Sequence, residues 1–328
     1  MRKKNFGILV ALFLLAILGA FNFLLGPFNT KPKTIGILIP VEHVSLQEIV
    51  SGFQKKIKEH FKTPIIFNVQ SAQGDIKLQR SITELFIGQQ VDMIVPVGTS
   101  TTQMALSLVK EQPIVSLAAL YPETERQKRM IKNITGVLDE IGGQKKLDFI
   151  KEVFPGLNGV TLVFHGGNEK TFSEVEEIVQ YGKQIGITIR PVMIQNLIDL
   201  HSVSRNITKD AQAILILKDS LIASGIRTLV AVAKKHHIPL ITGDEGTVLE
   251  GAALALGVRE SKIGEEGALL AIKVLEGQPI ADLPIQEMQE ISLFYNPERC
   301  KMLSIDLAKL QKYAQKKQYA LTAVEGLK

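Results

Sequence analysis

The chain has a single cysteine, Cys300, and no tryptophan. One thiol excludes an internal disulfide and any metal or iron-sulfur site built from several cysteines. Cys300 is therefore read as a packing residue. Stability has to come from a hydrophobic core, which 328 residues can supply. Tyrosines number only 5, so any aromatic cage must draw on Phe or Tyr. Also missing are a G-x-S-x-G elbow, a Walker loop, an H-E-x-x-H helix, a paired-histidine metal spacing and a dinucleotide fingerprint. The common hydrolase, nucleotide, zinc and NAD chemistries lose their usual signatures, and no catalytic residue, metal ion or cofactor is expected.

An excess of one charge is lacking as well. The formal net charge is +5, but setting Arg2, Lys3 and Lys4 aside leaves 35 of the 38 basic residues against 33 acidic ones. So balanced a body gives no reason to expect nucleic-acid binding, which needs a clustered basic face. The pI near 9.1 is a poor argument for it. Hydrophobic residues make up 45% and charged ones 22%, the composition of a globular protein.

The first thirty residues, "MRKKNFGILVALFLLAILGAFNFLLGPFNT", carry three cations followed by an apolar run. This is the pattern of an export signal or a membrane anchor, and the cations keep the N-terminus cytoplasmic. Everything after about residue 30 is then expected outside the inner membrane, in the periplasm or on its outer face. "LGA" at 18 to 20 suits signal peptidase, whereas counting on past Asn22 gives a run long enough to span a bilayer. Where a lipoprotein would carry its acylated Cys stands Phe21.

From Thr34 short apolar runs alternate with periodic segments, as in β-α-β units of a parallel sheet. "TIGILIP" reads as a strand, and "SLQEIVSGFQKKIKEHF" as a helix with Ser45 as N-cap and Glu48 completing a capping box. The same rhythm resumes after the polar link at 121 to 133, where "SLIASGIRTLVAVAKKHH" reads as one helix whose histidines meet the dipole at its C-terminus. The basic tail "KLQKYAQKKQY" reads as a solvated helix. The fold class is α/β: two Rossmann-like doubly wound parallel-sheet lobes joined by a hinge and facing a cleft, after an N-terminal hydrophobic helix. Ligands of such sheets bind beyond the carboxyl ends of the strands. That rule selects the loops "PVEHVS", "VGTSTT", "AALYPE", "FHGGNE", "LKDSL" and "TGDEG".

These loops and their order resemble the substrate-binding proteins of ABC importers, in particular the family typified by tryptophan- and tyrosine-binding lipoproteins. The resemblance runs from about Lys33 to Asn296 and is strongest at "GDEGTVLEGAALALGV". It is good at "VEHVSLQEIVSGF", "NVQSAQGD", "VGTSTTQMA" and "NITGV". There are departures. The family's Y-N-P-x-E turn reads "HGGNE" here, where Glu169 matches but His165, Gly166 and Gly167 do not. Its D-N-T becomes Asp219, Ser220 and Leu221, and the stretch after "LGV" reads Arg259, Glu260, Ser261.

The resemblance implies a type I periplasmic-binding-protein-like fold. Residues 31–122 with about 287–328 would form the N-terminal lobe, and 123–286 the C-terminal lobe with hinge segments. The implied function is the extracytoplasmic solute-binding component of an ABC importer. It would capture a small molecule between the lobes, an amino acid with aromatic ones tested first. Permease and ATPase would be separate chains, and the N-terminal segment, if uncleaved, would hold the protein to the inner membrane. The alternative is a membrane-anchored ligand-sensing domain that signals to a partner without transport.

An amino acid needs hydroxyls and amides around its carboxylate and an acid near its ammonium, because burying either charge unpaired is costly. Thr99, Ser100 and Thr101, at a helix start, suit the first role or ordinary capping. Asp219 and Asp244, at strand ends, suit the second or cap the helices that follow them. Glu245 would turn inward to an arginine or outward to water. Glu42 and His43 read as cleft lining more than as an acid-base pair, and His165 is open to both a cleft and a structural role.

Overall fold

A computed structural model describes residues 32–119, 131–166, 169–204, 207 and 211–326. The N-terminal hydrophobic segment lies outside them. Among the described residues no helix is long and apolar enough to cross a membrane.

The first sheet is built from β1 (Thr34–Ile39), β2 (Ile66–Ser71), β3 (Met93–Pro96), β4 (Ile114–Leu117), β5 (Ile134–Leu138) and β11 (Gln286–Glu287), in the order β11-β5-β4-β3-β1-β2. Its central strands are nearly continuous apolar runs buried on both faces, as parallel strands covered by helices must be. Edge strand β2 is only partly buried. The second sheet contains β6 (Gly159–His165), β7 (Thr188–Ile194), β8 (Ala213–Ile216), β9 (Leu240–Thr242), β10 (Leu254–Gly257), β12 (Ser292–Tyr295) and β13 (Ala320–Ala323), ordered β13-β12-β10-β9-β8-β6-β7. All its pairs are parallel except β10 with β12.

Sheet membership corrects the expected lobe boundaries. β5 and β11 belong to the first sheet, although 123–286 was expected in the second lobe, while β12 and β13, expected in the first, pair into the second. The chain therefore passes between the sheets after β5, after β10 and after β11. Hydrophobic periodicity identifies strands but carries no information about which sheet a strand joins, so these boundaries are set by pairing alone.

Helix α1 (Val44–His60) follows β1, α2 (Ile76–Gly88) follows β2 and α3 (Thr99–Leu108) follows β3. Asp75 caps α2, accepting from Lys77 N and Leu78 N. The capping box expected at α1 does not form. His43 is the N-cap, with its Nδ1 accepting from Ser45 N, and the Ser45 hydroxyl is used elsewhere. In the second lobe α4 (Gly143–Val153), α5 (Glu169–Ile185) and α6 (Leu197–Ser204) are followed by a break in what reads as one helix. Ser220–Ser224 form α7 and Ile226–His236 form α8, separated at Gly225. A Cβ at 225 would lie 2.6 Å from Leu200 Cδ2 and 2.8 Å from Leu197 Cδ2, so a side chain there would have to displace both leucines where α6 packs against this point. The "KKHH" stretch ends α8 as expected, with His237 in the left-handed C-cap conformation.

Helices α9 (Glu245–Leu249) and α10 (Glu260–Leu275) flank β10. Helix α10 leaves the second sheet and packs on β4 and β5 of the first, and its contact with α1 is the most extensive between any two described elements. That contact is made backbone to backbone. Gly52 faces Ser261 O, and Gly264 faces Ile49 O with Phe53 N close by. Cys300, in α11 (Pro297–Met302), is fully buried, consistent with packing. The tail helix α12 (Leu307–Lys317) is not merely solvated: Leu310, Tyr313 and Ala314 are buried, with Tyr313 5.3 Å from the ring of Phe149.

Candidate functional site

Six strand-end loops converge on one cleft of about 620 Å3 between the carboxyl edges of the two sheets, and residues from every one of the six loops chosen on the sequence line it. On the first-lobe wall, Gly98 adopts φ 88, a conformation that glycine tolerates and other residues resist. The turn it makes from β3 into α3 brings Thr99 and Ser100 to the cleft at the helix start, where backbone amides have no intrahelical acceptor. Gln79 Nε2 donates to Ser100 Oγ at 3.4 Å, and Gln73 and Gln103 add further carboxamides. Thr101 is not part of this wall: its hydroxyl donates back to Val97 O at 2.6 Å and Gly98 O at 3.0 Å, and the residue is fully buried.

His43 lines the cleft and is buried. Because Nδ1 accepts from Ser45 N, the neutral ring carries its proton on Nε2, which faces Glu250 Oε1 at 4.0 Å. Glu42 lies off the cleft, exposed, and accepts from Gln47 Nε2 at 2.9 Å. Glu42 is thus bonded to Gln47 while His43 faces Glu250.

The opposing wall is built from the ends of β6, β8 and β9. Asp244 caps α9 by accepting from Thr247 N at 2.8 Å, and the same Oδ1 accepts from Ser45 Oγ at 2.7 Å. This buried bond joins the start of α1, after the first sheet's β1, to the end of β9 in the second sheet. Gly246 permits the approach, since a Cβ there would overlap Ser45 Oγ and lie 2.8 Å from Val44 Cγ1. Glu245 turns away from the cleft to Arg259, 3.5 Å distant, and burial raises its carboxyl pKa against that arginine's pull.

Asp219 caps α7 through Oδ1 and meets His165 Nδ1 with Oδ2 at 3.0 Å. The Asp219 hydrogen bond lifts the His165 pKa above the ordinary histidine value, although burial works the other way. Since the folded-state pKa is raised, the pair stabilises fully at pH below the unfolded-state value and loses its contribution as pH climbs through the folded-state one. The expected result in an NMR titration is a His165 midpoint above 6.5 that drops in Asp219→Asn, which keeps the cap but removes the charge. An unchanged midpoint in that variant would refute the assignment.

Three charged features in or behind the cleft wall escape a reading of the sequence. Lys218, beside Asp219, holds Asp139 Oδ2 at 2.5 Å and Glu260 Oε1 at 3.4 Å. Burial opposes the lysine's charge, but Asp139, Glu260 and Asp244 outweigh it and keep the ammonium above the ordinary lysine value. Burial also pushes the Glu260 carboxyl up to about 8 against the pull of Lys218. The third feature is the buried pair of Lys146 on α4 and Glu174 on α5, 3.1 Å apart. Lys218 had a signal, its place in the strand-end loop "LKDSL"; Asp139, Glu260, Lys146 and Glu174 had none, because their partners are far away in sequence. Among the described residues no cluster of His, Cys, Asp and Glu suits a metal ion.

Two sheets facing a cleft form the architecture of type I periplasmic binding proteins. Several known proteins resemble the chain. An uncharacterized protein of Rickettsia prowazekii (strain Madrid E) is 37% identical over 265 residues, covering 81% of this chain and 83% of its own. A tyrosine-binding protein of Clostridioides difficile (strain R20291) is 27% identical over 289 residues, 86% of this chain and 83% of that one. A solved ABC domain in complex with L-Trp from Streptococcus pneumoniae superposes with a TM-score of 0.79 at 22% identity, covering 86% of this chain and 98% of that chain. The family model described as ABC transporter substrate binding protein matches residues 34–318, nearly the whole described body. The chain belongs to the ABC transporter substrate-binding protein family, whose members bind solutes and are not enzymes.

Proposed function

We propose that this protein captures an amino acid between its lobes, outside the cytoplasm, and delivers it to an importer whose permease and ATPase are separate chains. One observation carries the reading: the hydroxyl-bearing start of α3 and the buried carboxylate of Asp244 stand on opposite walls of one cleft. Thr99 and Ser100 with the helix amides suit a carboxylate, because the helix N-terminus carries partial positive charge. Asp244 suits the ammonium, with Asp219, His165 and His43 as further lining. The names of the tyrosine-binding relative and the L-Trp complex point to the same chemical class. Lobe closure over the solute would present both lobes together to the permease.

The test is a thermal-shift screen of the full chain in mild detergent against amino acids, sugars and purines. An amino acid at a hundredfold excess over Kd should stabilise the fold by about 2.7 kcal/mol. A shift with sugars or purines and none with any amino acid would overturn the proposal.

A further inference from the structure

We infer that ligand capture in this cleft releases a proton: a buried cluster of three carboxylates about one ammonium holds it, and the ligand's own ammonium displaces it to solvent. The inference rests on the amino-acid reading above and adds to it how pH governs the site. The ammonium is that of Lys218, which lines the cleft just beyond β8. Its Nζ meets Asp139 Oδ2 at 2.5 Å and Glu260 Oε1 at 3.4 Å, and Asp244 lies near enough to act on both Lys218 and Glu260. All three acids are buried, Glu260 most deeply at 2% exposure. One positive charge does not sustain three negative ones away from water, because each further ionisation crowds like charges into a poorly solvated site. The cluster therefore keeps a proton at neutral pH.

The contacts identify the acid that carries it. Asp139 has the shortest contact with the ammonium, and Asp244 accepts from Ser45 Oγ at 2.7 Å and Thr247 N at 2.8 Å. Glu260 has the longer contact with Lys218 and the deepest burial, and burial pushes its carboxyl up to about 8. Glu245 also acts on Glu260 but is engaged by Arg259 at 3.5 Å, and from α1, packed against α10, Glu48 acts on Glu245. An ammonium bound at Asp244 brings a second positive charge to the cluster. The Glu260 O–H bond then breaks, its electron pair stays on the carboxylate and the proton passes to solvent. Because the bound state holds fewer protons than the free one, affinity rises with pH. His165, bonded to Asp219 on the same wall, is the other group whose titration the test must separate.

Calorimetric titration of the full chain in mild detergent with each common amino acid, at pH 7 in phosphate and again in Tris, reads the proton count from the difference in heat between the buffers. About half a proton or more should be released, and affinity should rise about threefold per pH unit around pH 7. Glu260→Gln keeps an acceptor for Lys218 and cannot ionise, so it should bind with both the release and the slope lost. In Asp219→Asn, where His165 loses its carboxylate, the release should survive. Equal heats in the two buffers with a flat pH profile, or uptake of a proton, would overturn the inference and leave amino-acid capture standing. Release that persists in Glu260→Gln, or that vanishes in an Asp219→Asn variant still able to bind, would overturn the assignment to this cluster. A folded sample that binds no amino acid would remove the amino-acid reading itself and the inference with it.

Discussion

Asp244→Ala is expected to weaken ligand binding by about 2–5 kcal/mol, the usual loss when one partner of a buried charged contact is removed, while the unliganded protein still folds. The substitution also acts on the free protein. It deletes the N-cap of α9, which costs about 1 kcal/mol, and leaves the Ser45 hydroxyl buried without its acceptor, which costs about 1–3 kcal/mol. Domains of this kind have roughly 5–15 kcal/mol in hand, so folding survives with a lower midpoint. Calorimetric titration paired with urea unfolding separates the two effects. Wild-type affinity in a destabilised variant would leave Asp244 as a structural cap and nothing more. Loss of both in Asp244→Ala with recovery of stability alone in Asp244→Asn would assign the charge to the ligand.

Gly264→Ala should have the largest effect on stability of any single-methyl change in the body. On an isolated helix the substitution favours α10 by about 1 kcal/mol. Here the new methyl would overlap the Ile49 carbonyl oxygen and stand 2.6 Å from Phe53 N. Backbone cannot step aside as a side-chain end can, so the helices α1 and α10 must separate along the most extensive helix contact in the fold. Overpacking of this kind costs about 3 kcal/mol or more, which outweighs the propensity gain. Gly88→Ala is the control, because a Cβ there meets nothing within 4 Å. Urea unfolding should show Gly264→Ala strongly destabilised and Gly88→Ala unchanged or slightly stabilised. Near-equal midpoints for the two would show that the α1–α10 contact yields more readily than its geometry implies.

Much of the site was legible because a doubly wound sheet places function at a predictable end of each strand. The apolar runs located the strands, and the polar residues just beyond them are the residues that line the cleft, among them Ser100, His165, Asp219 and Asp244. Legibility failed where a side chain had two local options of similar energy. Thr101 takes a backbone carbonyl four residues back while Thr99 faces the cleft, and Glu245 finds Arg259 while Asp244 turns inward. Ser45 fits a capping box by spacing, yet its hydroxyl bonds to a carboxylate 199 positions away. Local rules weigh local partners, and here the distant one won.

The sequence by itself determined the alternation of strands and helices, the two-lobed α/β class, the loops that line the cleft and the lack of a recognisable catalytic set. Each of these depends on composition or on spacing within one element or one turn, where periodicity and capping act. Tertiary structure alone decided which strands share a sheet, sending β5 and β11 to the first and β12 and β13 to the second. It also decided the pairing of Lys218 with Asp139 and Glu260, of Lys146 with Glu174, and the bond from Ser45 to Asp244. Those contacts bring together residues from separate elements, and their energies depend on burial and distance, quantities that exist only once the chain has folded.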